Sequence, residues 1–266
     1  IDALDEKKRV IESTINALAR QDRMVQQELT IANSIQTGML PRRGEVSGIR
    51  LSAHYDPLHR ISGDFYDTVE FPDGSVGVII VDVSGHGIPA ALITIMIKFL
   101  VSSYGAAYRS ASDFLTRINT ELARVLRTGD YIAAFYLIID PDNTVRFSSA
   151  GNCPAIVLER DGNSVYELAD EGLYLGLVEK PPILYDTKVG RLNPGDRIIL
   201  FTDGVIEQRN SCGELYGEAR LYSVIMDNFR EPSSLLVERI IEDVKRFAGD
   251  AAQNDDMTLL IVDSHD

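Results

Sequence analysis

Apolar residues recur every seven positions at the start of the chain, at Leu4, Ile11, Leu18, Val25, Ala32 and Met39. Their companion positions, Ile1, Lys8, Ile15, Asp22, Leu29 and Gln36, alternate apolar with polar. The pattern predicts one long helix over residues 1–40 and a weak dimeric coiled coil, in which Lys8 and Asp22 cost stability and set register. An amphipathic helix packed on its own domain is the other reading of this stripe. Pro41 stops the helix, and Arg42-Arg43-Gly44 reads as a short linker. The chain therefore divides into a helical segment, 1–44, and a domain, 45–266.

Beyond the linker the period changes. Ile49–Asp56 alternates as a strand does and ends at Pro57. Two strand-like runs flank Pro72-Asp73-Gly74, a hairpin turn signal. A helix is predicted from Ile88 to about Tyr104, with Pro89 in its first turn, where a missing N–H costs little. It is apolar nearly all round, which marks burial on several sides. A second helix runs from about Ser112 to Arg127, with Phe114, Leu115, Ile118, Leu122, Val125 and Leu126 inward and Gly129 ending it. Two hairpins follow, Tyr131–Ile139 with Thr144–Ala150, and Ala155–Glu159 with Val165–Leu168. Leu184–Val189 and Asp196–Thr202 follow, with Asn193-Pro194-Gly195 between them. Helices are expected over about 217–229 and over Ser233–Ala248, the latter with Ser233 as N-cap. Met257–Val262 is the last strand. Hairpins outnumber β-α-β units, so the fold class is α+β, with two mostly antiparallel sheets packed face to face and helices outside.

This pattern places four carboxylates alike. Folding the hairpin about Asp73 puts Asp64 and Asp82, nine residues to either side, opposite each other. Two such anions repel and raise each other's pKa. Asp203 follows the apolar run 197–202, and Asp255 precedes the last strand. Four acids at strand ends imply a multivalent cation if the fold gathers them. Taken singly, an Asp at a strand end is most often a turn former or a cap. All-oxygen donors select Mg2+ or Mn2+ rather than zinc, and two such ions activate a water for in-line attack on phosphorus. No G-x-S-x-G elbow, H-E-x-x-H, Walker A loop or G-x-G-x-x-G is present.

Charge narrows the partners. The net charge is −14, and residues 1–44 carry +1, leaving −15 on the remainder. A nucleic-acid backbone calls for a basic surface, so a two-metal nuclease is disfavoured. The two cysteines, Cys153 and Cys212, form no metal-binding pair or disulfide framework, in keeping with a cytoplasmic setting. No run reads as long enough for a membrane helix, and no signal peptide is seen. The chain begins inside a helical pattern, so an upstream sensor domain is expected in a longer protein.

The motifs Ser62-Gly-Asp64-Phe-Tyr-Asp67, Asp82-Val-Ser-Gly-His-Gly-Ile-Pro-Ala-Ala91, Ser149-Ala-Gly-Asn152, Leu200-Phe-Thr-Asp203-Gly204 and Asp255-Asp-Met-Thr258 resemble, in order, those of PPM-type serine/threonine phosphatases of the bacterial SpoIIE/RsbU-like branch. Leu29-x-x-Ala32-x-x-Ile35-Gln36-x-x-x-Leu40-Pro41 resembles the helix that precedes the domain in that branch. The resemblance implies a four-layer α-β-β-α sandwich with a dinuclear Mn2+ or Mg2+ site. Asp82 would bridge both metals, with Asp64, Asp203 and Asp255 as further ligands and Val83 giving its backbone carbonyl. Asp67 and Asp256 would support them. Ser84, Gly85, Gly87 and Asn152 would lie beside the substrate, and Thr202 beside the site. His86 stands two positions beyond the histidine that eukaryotic-type members are proposed to use as acid, so that role is not carried over from the family, although a general-acid role or substrate contact by His86 stays open. The implied substrate is phosphoserine or phosphothreonine on a STAS-domain anti-sigma-factor antagonist, with control through a homodimeric N-terminal coil. A catalytically silent dimeric binding module is the alternative.

Overall fold

A computed structural model describes residues 2–41, 44–85, 87–126, 130–151, 155–162, 164–168, 172–179 and 185–265, though not the side chains of 2–5 and 10. Contacts divide the chain into two compact units, Ile1–Met39 and Leu40–Asp266. The first unit is a single helix, α1 (Asp2–Met39). Its heptad residues Ile11, Leu18 and Val25, and the companion Ile15, are exposed.

The second unit contains eleven strands among the described residues: β1 (Gly44–Val46), β2 (Ile49–Asp56), β3 (Asp64–Glu70), β4 (Val76–Val83), β5 (Ile132–Ile139), β6 (Thr144–Ala150), β7 (Ala155–Leu158), β8 (Val165–Glu167), β9 (Lys188–Arg191), β10 (Arg197–Phe201) and β11 (Met257–Asp263). Its helices are α2 (Ile88–Tyr104), α3 (Ala111–Val125), the short α4 (Asp203–Ile206), α5 (Glu218–Asp227) and α6 (Ser233–Ala248). One sheet runs β1-β2-β11-β10-β7-β8 and the other β3-β4-β5-β6-β9. All pairs of neighbouring strands are antiparallel.

Three apolar cores lie between successive layers. On β4, Val76, Val78 and Ile80 join the core between the sheets, whereas Ile79, Val81 and Val83 meet α2 and α3. On β10, Ile198 and Leu200 face the other sheet, while Ile199 and Phe201 meet α5 and α6. The two-residue period of a strand thus fills two cores at once, which is why these strands read as apolar runs rather than alternations. The result is the α-β-β-α sandwich.

Some local expectations are corrected. Gly44 opens β1 rather than ending a linker. The strand expected at Leu184–Val189 lies at Lys188–Arg191, with residues 180–184 outside the described residues. Ser110 caps α3, accepting from Asp113 N, and Gly129 lies outside the described residues. Pro232, not Ser233, is the N-cap of α6, because the Ser233 hydroxyl donates instead to Asp263 Oδ1. Residues Ile88–Ala107 do form a helical stretch long and apolar enough to cross a membrane. Its inner face, Ala90, Ile93, Ile97, Leu100 and Val101, is buried in the core against β3 and β4, as a core helix of similar composition would be.

Candidate active site

The hairpin of β3 and β4 pairs Asp64 directly with Asp82, two carboxylates across one rung of a sheet. Asp64 is 2% exposed, and its Oδ2 accepts from Thr202 Oγ1 at 2.8 Å and Thr258 Oγ1 at 2.6 Å. Those threonines stand at the facing ends of β10 and β11 and bond each other as well, Thr202 N to Thr258 O and Thr258 N to Thr202 Oγ1, both at 3.0 Å. The sheet of β10 and β11 therefore grips the buried carboxylate of the other.

Asp203 opens α4 immediately after β10, and Asp255 and Asp256 precede β11. Asp255 Oδ1 accepts from Asp256 N at 2.8 Å. Asp256 is buried, and its two oxygens accept from Leu58 N and Gly63 N, both at 2.7 Å. It straps the loop ahead of Asp64 to the start of β11. The approach is so close at Gly204 that a β-carbon there would stand 1.9 Å from Asp256 O, so the Asp203-Gly204 step admits no side chain.

Burial and crowding raise the acids. Burial, then Asp82 and Asp256, push Asp64 well above the usual carboxylate range, against the pull of the two threonine hydroxyls. Burial, then Asp203, Asp255 and Asp256, raise Asp82 to about 8. Burial, then Asp255 and Glu207, raise Asp203 to about 6. A hydrogen bond joins Asp82 to Asp203, so the two carboxyls act on each other directly. Asp67 is tied elsewhere, accepting from Lys98 Nζ at 2.7 Å, though burial dominates and raises it too.

A cleft of about 340 Å3 opens over this cluster. Asp82, Val83, Ser84, Gly85, Asp203 and Asp255 line it, together with Tyr131, Ala133, Tyr174, Ile206 and Glu207. Asp64 lies behind Asp82 and does not line the cleft. Gly87 sits at the N-terminus of α2. His86 and Asn152 lie outside the described residues. Sequence reasoning passed over Thr258, Tyr131 and Tyr174. Thr258 stands in a quoted motif, one position past the first residue of a strand, but a lone threonine there carries no signal. The tyrosines lie in segments with no motif at all.

Among the described residues no three acidic, His or Cys side chains are already arranged to hold a metal ion. The donor chemistry nonetheless fits one. Asp82, Asp203 and Asp255 line one cleft, and the donors are oxygen throughout, as hard divalent ions require.

The SpoIIE family model, stage II sporulation protein E, matches residues 72–265. That span includes Asp82, Asp203 and Asp255 but not Asp64. Phosphoserine phosphatase RsbU of Bacillus subtilis is 29% identical over 242 residues, covering 90% of this chain and 70% of RsbU. Phosphoserine phosphatase RsbP of the same organism is 26% identical over 244 residues, covering 89% of this chain but only 57% of RsbP. The SiaA-PP2C domain of Pseudomonas aeruginosa superposes with a TM-score of 0.79 at 23% identity, covering 91% of this chain and 98% of that domain. With the family model spanning most of the sandwich, from the hairpin turn to the last strand, the chain belongs to the SpoIIE family.

Proposed function

We propose that the chain is a divalent-metal-dependent phosphatase that hydrolyses phosphoserine or phosphothreonine on a protein. The observation that carries this reading is the convergence of Asp82, Asp203 and Asp255, from the ends of three strands, on one cleft, with Asp64 paired behind. The names of its RsbU and RsbP relatives agree with it. Asp64, Asp82, Asp203, Asp255 and the Val83 carbonyl would hold Mn2+ or Mg2+. When bound, such ions supply an activated water and stabilise the charge on phosphoryl oxygens. The protein's own residues do the positioning. Thr202 and Thr258 fix the Asp64 carboxylate, Asp256 fixes the turn before it, and the bonds between Ser84 and Tyr131 (Ser84 N to Tyr131 O 3.0 Å, Tyr131 N to Ser84 Oγ 2.9 Å) fix the loop after Asp82.

The substrate in this reading is a phosphorylated STAS-domain protein of a partner-switching pathway, on the strength of the RsbU-like motifs. The exposed heptad residues of α1 support a homodimeric coil through which an upstream domain regulates the enzyme. Shifting the coil's phase by inserted residues should change the phosphatase rate without unfolding the domain.

The direct test is phosphate release from a phosphoserine protein with Mn2+, with chelator, and for Asp82→Asn. Turnover that needs Mn2+ and is lost in Asp82→Asn supports the reading. Absence of both turnover and Mn2+ binding rejects it in favour of a silent binding module.

A further inference from the structure

The residues lining the cleft are of two kinds. Asp203, Glu207 and Asp255 come from α4 and the turn before β11, and they are acidic. Tyr131, Ala133 and Tyr174 come from the start of β5 and from segment 172–179, and they offer rings and methyl groups. No Lys, Arg or His is found among the described lining residues. Among the described lining residues, the rings that can contact a substrate side chain without carrying charge are those of the aromatic part.

That part is built rather than incidental. The rings of Tyr131 and Tyr174 meet edge to face, with centroids 4.9 Å apart and planes at 65°. Tyr131 is locked by its backbone to Ser84, two residues beyond Asp82. Tyr174 lies against Gly151, where a β-carbon would stand 2.3 Å from its ring. The next residue, Leu175, exchanges both backbone hydrogen bonds with Ile132, at 2.9 and 3.2 Å. Asn119 of α3, fully buried, receives Gly176 N at 2.9 Å and donates to Val178 O at 2.8 Å. A buried amide satisfied at both ends holds this segment to the helix layer. Leu173, Leu177 and Val178 on the same segment are all nearly half exposed.

We propose that the Tyr131–Tyr174 pair is the specificity contact of the site and receives an apolar side chain immediately beside the phosphorylated residue of the substrate. The inference rests on the phosphatase reading above. Neighbouring residues of an extended peptide are 3.8 Å apart at Cα, so a phosphoserine seated over the carboxylates brings its neighbours to the rim of a cleft of about 340 Å3. An aliphatic neighbour covers the rings and is itself desolvated. A polar neighbour of equal size leaves its amide facing them unpaired.

The experiment compares two phosphoserine peptides that differ only in carrying Leu or Asn beside the phosphoserine. The full chain is used, with Mn2+, and p-nitrophenyl phosphate serves as a control ester. The wild-type protein should prefer the Leu peptide about tenfold in kcat/KM, which is 1.4 kcal/mol, mainly through KM. Tyr174→Ala and Tyr131→Ala should bring the ratio close to one, while Tyr174→Phe, which keeps the ring, should retain it. Equal rates on the two peptides, turnover of the control ester but of neither peptide, or a ratio untouched by Tyr174→Ala would overturn the inference and leave the phosphatase reading standing. No metal-dependent turnover of any ester would overturn both.

Discussion

The two ends of the sandwich treat charge in opposite ways. At the cleft end Asp64 faces Asp82 across a rung, and Asp203, Asp255 and Asp256 crowd the same region. At the far end the same strands alternate sign. Glu45 pairs with Arg50, Arg50 with Asp263, and Asp263 with Arg197, whose Nε lies 3.2 Å from Asp263 Oδ1. On the other sheet, Arg146 meets Asp140 at 2.5 Å and Arg109 meets Asp73 at 2.7 Å, holding Asp73 well below the usual carboxylate range. Opposite charges across a sheet are the stable arrangement. A fold that achieves it at one end and violates it at the other has placed its function where the violation is.

The contrast can be broken most strongly at Asp82. Asp82→Asn should lower Mn2+-dependent phosphate release more than about a hundredfold, and it should also raise the melting temperature of the chelated protein by removing a repelled charge. A melting temperature that falls would show that the acids are not in conflict. Thr258→Val comes next. It withdraws a donor from the buried Asp64, and metal affinity measured by titration should fall about tenfold, with stability down by about 1–3 kcal/mol.

At the paired end Arg197→Met should cost about 2 kcal/mol in denaturant unfolding, since Arg197 also donates to the carbonyls of Phe229 and Glu231. It should leave kcat unchanged. A loss of metal affinity equal to that of Thr258→Val would erase the distinction between the ends.

The gentlest probe is pH. In metal-free protein Asp82 and Asp203 stand at about 8 and about 6, above the unfolded value of about 3.9. The folded state therefore binds extra protons between about pH 4 and 8. Their contribution to stability is fully present at the low end of that window, declines as pH rises, and is gone above about 8. Asp243, held low by its hydrogen bond to Arg220, works the other way, and its contribution is lost as pH falls below about 4. The difference in melting temperature between wild type and Asp82→Asn, taken in chelator at pH 5.5 and 8.5, isolates the first effect. It should widen at the higher pH.

Much of this was legible beforehand because it is local. The Pro72-Asp73-Gly74 turn sets the register of its own hairpin, so the pairing of Asp64 with Asp82 follows from counting. Helix faces and apolar strand runs are equally local patterns. What escaped is set by partners far along the chain. Whether Thr258 donates to Asp64 depends on β11 arriving beside β2, 194 residues from the carboxylate it serves. The strap from Asp256 to Gly63 is as remote. Tyr174 belongs to a stretch with no periodicity, placed by a buried amide on a helix more than fifty residues earlier. Ser233 was misread as a cap because its better partner, Asp263, lies thirty residues away.

The same remoteness bears on how the protein is made. Ribosomes release the N-terminal part first, and domains fold as units once enough chain has emerged. The groups that fix Asp64 and the turn before it, the Thr258 hydroxyl as donor and the Asp256 carboxylate as acceptor, lie 194 and 193 residues along the chain from their partners. A nascent chain that has completed the β3–β4 hairpin still lacks them, and lacks Asp255 as well. In a chain that grows from its N-terminus, the carboxylate cluster is therefore completed only when β11 and the turn before it join the hairpin.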